Sequence, residues 1–229
     1  MSKLIQPTYP TKLPSTGKHV TFRPFTVKEE KSLLLALQED NIENVVCAIK
    51  NVIVACTDGG VNPDDVPYYD IEFLFLQIRS KSVGEIIDLV GSCECSPEAK
   101  TQFSIDIGDL VIVPTPKGKS IIKIPDSPYT VEFVHPTISD FTKTFSTSED
   151  SATEVVANCI HNIYTDDEVM SWSDKEKFDF VESMSPKQQK DIAKFLENMP
   201  MVKLNSTYTC VKCGKNHSEN ISGFASFFL

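Results

Sequence analysis

Four cysteines carry the spacing with the most chemistry in it. Cys210 and Cys213 stand two residues apart and are followed by Gly214. A two-residue knuckle that ends in glycine presents both sulfurs to one point, which suits a tetrahedral ion such as Zn²⁺. That is half a site. A structural zinc takes four protein ligands, and Cys93 with Cys95 is the only other close cysteine pair in the sequence. The spacing therefore predicts a structural Zn²⁺ held by Cys93, Cys95, Cys210 and Cys213, in a zinc ribbon whose two knuckles close a long loop. His217 lies four residues past Cys213, so a site built from Cys210, Cys213, His217 and one upstream cysteine competes with the four-cysteine set.

Free buried thiols acting as small hydrophobes are the plainer reading of any cysteine. The turn-forming Gly214 and the polar neighbours Lys212, Lys215 and Asn216 speak against it at the second pair. It fits the other three thiols, Cys47, Cys56 and Cys159, which sit inside apolar helical patterns and are expected to fill core. Four thiolates would leave a zinc no open position for water, which argues against a catalytic metal. A P-loop, a dinucleotide glycine fingerprint, a Gly-x-Ser-x-Gly elbow and the zinc-deaminase signature are all missing from the sequence. His19, His135 and His161 are scattered through local patterns that explain them, and Asp64-Asp65 and Asp166-Asp167 read as solvated charges. The missing motifs and the filled thiolate site predict a protein that is not an enzyme.

Charge narrows the partners. Zinc ribbons often bind nucleic acid, but the formal net charge is −10 and the basic cluster Lys117, Lys119 and Lys123 is too small to neutralise a run of phosphates. No apolar run reaches the length of a membrane span, and the first residues lack the uninterrupted apolar core of a secretion signal, which predicts a cytosolic protein where it is made.

The elements that must position the thiols follow from periodicity and punctuation. The class expected is α+β, a helical body with a β subdomain built from two distant hairpins. Residues 1–20, with prolines at 7, 10 and 14, read as an extended arm. Residues 21–84 form a helical part. There a strand-like HVTFRPF leads into a helix capped by Thr26 and Glu29 with Leu33, Leu34 and Leu37 inward. A second helix from Asn41 carries Val45, Val46, Ile49, Ile53 and Val54, and a buried third starts near Asp70 and is stopped by Gly84. Arg79 at its end is expected to meet a carboxylate or the helix's own terminal carbonyls. Residues 85–134 are β-rich, with a hairpin bearing Cys93 and Cys95 at its tip and short strands at 110–114, 120–124 and 129–134. Residues 135–200 are helical: Thr137 with Asp140 opens a short helix, and Ser151 with Glu154 caps one that carries Val155, Val156, Cys159, Ile160 and Ile163. Ser173 with Glu176 and Ser185 with Gln188 cap two more. Residues 201–229 form the second knuckle hairpin and an apolar tail, GFASFFL, expected to dock on the body or on a neighbour.

The ordered set FRPFTVKEEKSLLLAL, YDIEFLFLQIRSKSVGE, CEC before TQFSIDI, FLENMPMVKL and YTCVKCGKNH before GFASFF resembles the baseplate hub and hub-assembly proteins of T4-type contractile-tailed phages. The resemblance spans nearly the whole chain. It implies a non-enzymatic protein that builds or stays in the central hub, acts in the host cytoplasm during assembly or in the virion tail baseplate, and has other baseplate hub proteins as partners. Cys93, Cys95, Cys210 and Cys213 match the family's paired thiols, although the family pattern has two residues inside the first knuckle and this chain has one. Two function classes then compete: a scaffold that offers the apolar faces around 70–79 and 222–229 to other baseplate proteins, and a zinc-ribbon nucleic-acid accessory protein.

Overall fold

The computed structural model describes residues 4–39, 41–109, 111–113, 120–140, 151–166 and 168–221. The chain opens with a hairpin. Tyr9–Lys12 (β1) pairs antiparallel with His19–Phe22 (β2), and Gly17, at φ 69°, allows the tight return. The prolines thus do not hold this stretch out as an arm. Leu13, Val20 and Phe22 enter the core, and Asp70, itself fully buried, accepts hydrogen bonds from the Ser15 backbone N–H at 2.9 Å and from the Ser15 hydroxyl.

Three helices follow, Val27–Gln38 (α1), Ile42–Cys56 (α2) and Tyr68–Val83 (α3). The expected cap starts α1: the Thr26 N–H donates to Glu29 Oε2 at 2.6 Å. Arg23 grips the same carboxylate with both terminal nitrogens, at 2.7 and 3.0 Å. These bonds, from Arg23 first and against the cost of burial, pull Glu29 from an ordinary 4.5 down to about 2. Three consecutive leucines cover almost a full turn of α1, so only Leu33 points inward with Ala36, while Leu34 is half exposed. In α2 the buried stripe is Ile49, Val52, Ile53 and Cys56. Val54 and Cys47 lie on the solvent side, so Cys47 does not fill core.

Helix α3 is apolar around most of its circumference because it is shared by two cores. Ile71, Leu74, Phe75 and Ile78 pack with the hairpin, α1 and α2. Leu76 and Phe73 turn the other way. The apolar face of 70–79 is therefore consumed inside the chain and is not a surface offered to partners. Gly84, at φ 117°, ends the helix, and Arg79 Nη1 donates to the Gly84 carbonyl at 3.4 Å.

Ile86–Cys93 (β3) and Ser96–Asp106 (β4) form the first knuckle hairpin, followed by a 3₁₀ turn at Ile107–Asp109 and by Val111–Val113 (β5). Ile121–Lys123 (β6), Tyr129–Phe133 (β7), Ile160–Thr165 (β8) and Glu168–Met170 (β9) make an antiparallel sheet in that order. Helices Ser151–Asn158 (α4), Asp174–Glu182 (α5) and Pro186–Glu197 (α6) pack on it around Val131, Phe133, Ile160, Ile163, Val181 and Ile192. The expected long helix from Ser151 thus ends at Asn158. Ile160 and Ile163 lie on a strand, where a β-branched and aromatic run pairs with β7 and turns back at Asp166, φ 50°. Cys159, at the junction, is fully buried.

Met201–Thr209 (β10) and Asn216–Ile221 (β11) form the last hairpin, and β10 also pairs with β5. Every strand pairing among the described residues is antiparallel and the helices are segregated from crossovers, so the class is α+β. No described helix is long and apolar enough to cross a membrane. The apolar tail 222–229, Lys117, Lys119 and Asp167 lie outside the described residues.

Glu29→Ala should lower stability by about 2 kcal/mol at pH 7, the upper range for a lost cap. The depressed carboxylate stabilises the fold fully above about 4.5 and ceases to do so as pH falls through about 2. Urea melts of the two proteins should therefore converge as pH is lowered toward 2; a gap that stays constant from pH 7 to 2 would contradict the ion-pair assignment.

Candidate metal centre

Strand alternation delivers two of the four thiols to the same place. On β3 the odd positions Ile87, Gly91 and Cys93 are buried with Leu89 half-buried, while Ile86, Asp88 and Val90 face solvent. On β10 the even positions Val202, Leu204, Ser206 and Tyr208 are buried, and Cys210 continues that row. Ile87, Ile105, Val202 and Leu204 close on Leu76 of α3, which sets the two rows against each other. At the far end Cys93 and Cys210 meet around Ala99.

A ring locks the hairpins together. Tyr208 lies over Gly91 so closely that a Cβ there would stand 2.3 Å from the ring. Its hydroxyl donates to the Ser92 carbonyl at 2.6 Å, with Glu219 Oε1 3.1 Å away. Phe103 stacks on one side of Tyr208, with ring centres 4.7 Å apart, and His217 stacks at 4.9 Å. Thr101 adds a polar tie, its Oγ1 accepting from the Val211 N–H at 3.2 Å. The second knuckle closes on itself through Cys210 N–H to the Lys215 carbonyl and Gly214 N–H to the Cys210 carbonyl, both 2.9 Å, with Gly214 at φ 72°.

The result brings Cys93, Cys95, Cys210 and Cys213 together, with all four sulfurs within 4.8 Å of one another. Cys93 Sγ is 3.7 Å from Cys213 Sγ, and Cys95 Sγ is 3.7 Å from Cys210 Sγ. Zinc–thiolate bonds of about 2.3 Å would set tetrahedral sulfur edges near about 3.8 Å, so the donor set fits such an ion in chemistry and in size. Cys93 and Cys210 are buried, Cys95 and Cys213 exposed. Without a cation the four cannot all be thiolates. The Cys210 thiol is drawn down to about 6, chiefly by the Cys213 and Lys212 backbone N–H groups, whereas withdrawal from water and the neighbouring thiols push Cys95 up to about 12. His217 stands beside the four, its Nε2 3.2 Å from Cys93 Sγ.

A family model described as T4 bacteriophage base plate protein matches residues 6–229. The chain belongs to that family. No curated protein and no solved structure matches it. The other histidines of this baseplate chain sit elsewhere in the fold. His19 lies exposed on β2. His135 stacks on Phe195 at 5.2 Å and meets Tyr69 edge-on, and burial pushes its pKa down. His161 and His135 line a cleft of about 1170 Å³ together with Lys123, Lys194 and Phe133. Asp64 pairs with Lys50 at 2.6 Å and accepts from the Ser139 hydroxyl at 2.6 Å, so it is a structural tie and not simply a solvated charge.

Gly91, Thr101, Phe103 and Tyr208 escape a reading based on ligand spacing. Their only signal is the two-residue alternation that leads into each knuckle, which places Gly91 and Tyr208 two residues ahead of Cys93 and Cys210 on the same faces.

Gly91→Ala should cost about 1–3 kcal/mol, because the pinned Tyr208 ring has nowhere to move. In a double-mutant cycle with Tyr208→Ala, thermal melts should show most of that cost gone. Full additivity would mean that the ring and the glycine do not set the hairpin contact.

Proposed function

We propose that this baseplate protein is a non-enzymatic component of the central hub, or of its assembly, that works through contacts with other baseplate proteins and is held together by a structural Zn²⁺. The observation that carries the reading is the meeting of four sulfurs from two distant hairpins at spacings suited to a tetrathiolate ion. Cys93, Cys95, Cys210 and Cys213 would be the ligands, each giving up its proton, and the ion would close the long loop between the knuckles. Four protein ligands leave no position for a water nucleophile, so the metal has no hydrolytic role. The hub assignment rests on the sequence resemblance; membership of the baseplate family supports the broader part of it. A net charge of −10 favours protein partners over a phosphate backbone.

Metal analysis of the purified chain should find zinc in equimolar amount, and Cys213→Ala should lose it while Cys47→Ala keeps it. The melting temperature of Cys213→Ala should fall on the order of 10 °C, the scale of a structural metal lost from a chain of this size. Tagged protein pulled from infected cells should bring hub proteins with it in a salt-resistant manner. Retention on DNA that vanishes steeply with added salt would instead favour a nucleic-acid accessory role.

A further inference from the structure

We propose that His217 acts on the thiolate centre from outside the coordination sphere, as the N–H donor that Cys93 requires and that the short Cys93-Glu94-Cys95 turn cannot supply. The inference rests on the zinc reading and adds to it a positioning residue with a defined atom and partner.

Four thiolates around a divalent cation carry two surplus negative charges, and a half-buried centre must disperse them through N–H donors to sulfur. The second knuckle has such a donor built in. The Lys212 N–H points at Cys210 Sγ over 3.4 Å. One residue fewer between the thiols removes the turn in which backbone amides fold over the leading sulfur. Among the described residues, no backbone N–H donates to Cys93 or Cys95. Cys93 is only 6% exposed, so solvent is not there to donate to it. The group that reaches Cys93 is His217 Nε2, at 3.2 Å.

The direction of that bond follows from the chemistry. A metal-bound sulfur carries no proton, so the hydrogen between the two atoms must sit on Nε2. The ring is also held for the task. His217 faces Tyr208 directly across the β10–β11 pair and lies within 12° of parallel to it, and Tyr208 is itself held by its stack on Phe103 and its close approach to Gly91. A donor fixed in this way loses little entropy in making its bond. The same placement keeps the imidazole from being a fifth ligand, because it is aimed at a sulfur and not at the point between the four.

The test separates donor, stack and ligand in the full-length chain. Cobalt(II) would be titrated into reduced, metal-free protein, and affinity for Co²⁺ and Zn²⁺ measured by chelator competition. His217→Phe keeps a ring for Tyr208 but removes the N–H; His217→Gln keeps an N–H at the position of Nε2. We expect a four-sulfur cobalt spectrum in all three proteins, affinity about 10- to 100-fold weaker in His217→Phe, and recovery to within a few-fold of wild type in His217→Gln. Wild-type affinity in His217→Phe would overturn the donor role in favour of stacking alone. A wild-type spectrum with three sulfurs and one nitrogen would overturn it in favour of ligation. Wild-type protein that takes up neither metal would bring down the zinc reading itself, and the donor role with it.

Discussion

The seating of the Tyr208 ring on Gly91 is the contact on which the thiol cluster depends. Among the described residues, neither knuckle hairpin is anchored to the other by a shared backbone ladder: β3 pairs with β4, and β10 with β11 and β5. What sets their mutual height is side-chain packing, in which Ile87, Ile105, Val202 and Leu204 gather on α3 and one aromatic ring fills the space left by an absent Cβ. Packing of this kind is not adjustable, since a shift of one residue along either strand would turn its whole buried row to solvent. The thiols inherit that precision because each buried one is the next member of its row.

Electrostatics makes the same cluster incomplete as a set of thiols. Two backbone amides favour charge on Cys210, while withdrawal from water and the neighbouring thiols oppose it on Cys95. A cation would resolve the conflict by displacing the retained protons. The arrangement is thus strained in its charge and not in its backbone, where the single positive φ of the knuckles falls on Gly214, a residue that adopts it without cost.

How much of this is legible in the sequence depends on the range of the interaction. Caps are local, and Thr26 with Glu29, Ser173 with Glu176 and Ser185 with Gln188 all lie where spacing puts them. The four cysteines are legible because ligand number is a chemical constant: one pair demands another. Tertiary choices are not local. Nothing within Leu33-Leu34-Leu35 says which leucine turns inward, and proline spacing in the first 20 residues gives no sign that Leu13 and Phe22 would find a core or that Ser15 would meet Asp70. After Asn158 a helical apolar pattern and a buried strand are the same letters, Ile160 and Ile163 satisfying either, and pairing with β7 decides the matter.

The position of α3 explains why a buried helix sits in the middle of a chain whose metal candidate lies at two sequence-distant tips. A helix with apolar residues on most sides can join two cores only if each supplies its own cover, and here the N-terminal hairpin with α1 and α2 covers one side while the knuckle hairpins cover the other. Separating the two knuckles would uncover Leu76 and Phe73 as well as the thiols. A metal clip at the tips would therefore act on more than the loop it closed: it would hold the cover of the second core, which shares α3 with the core of α1 and α2.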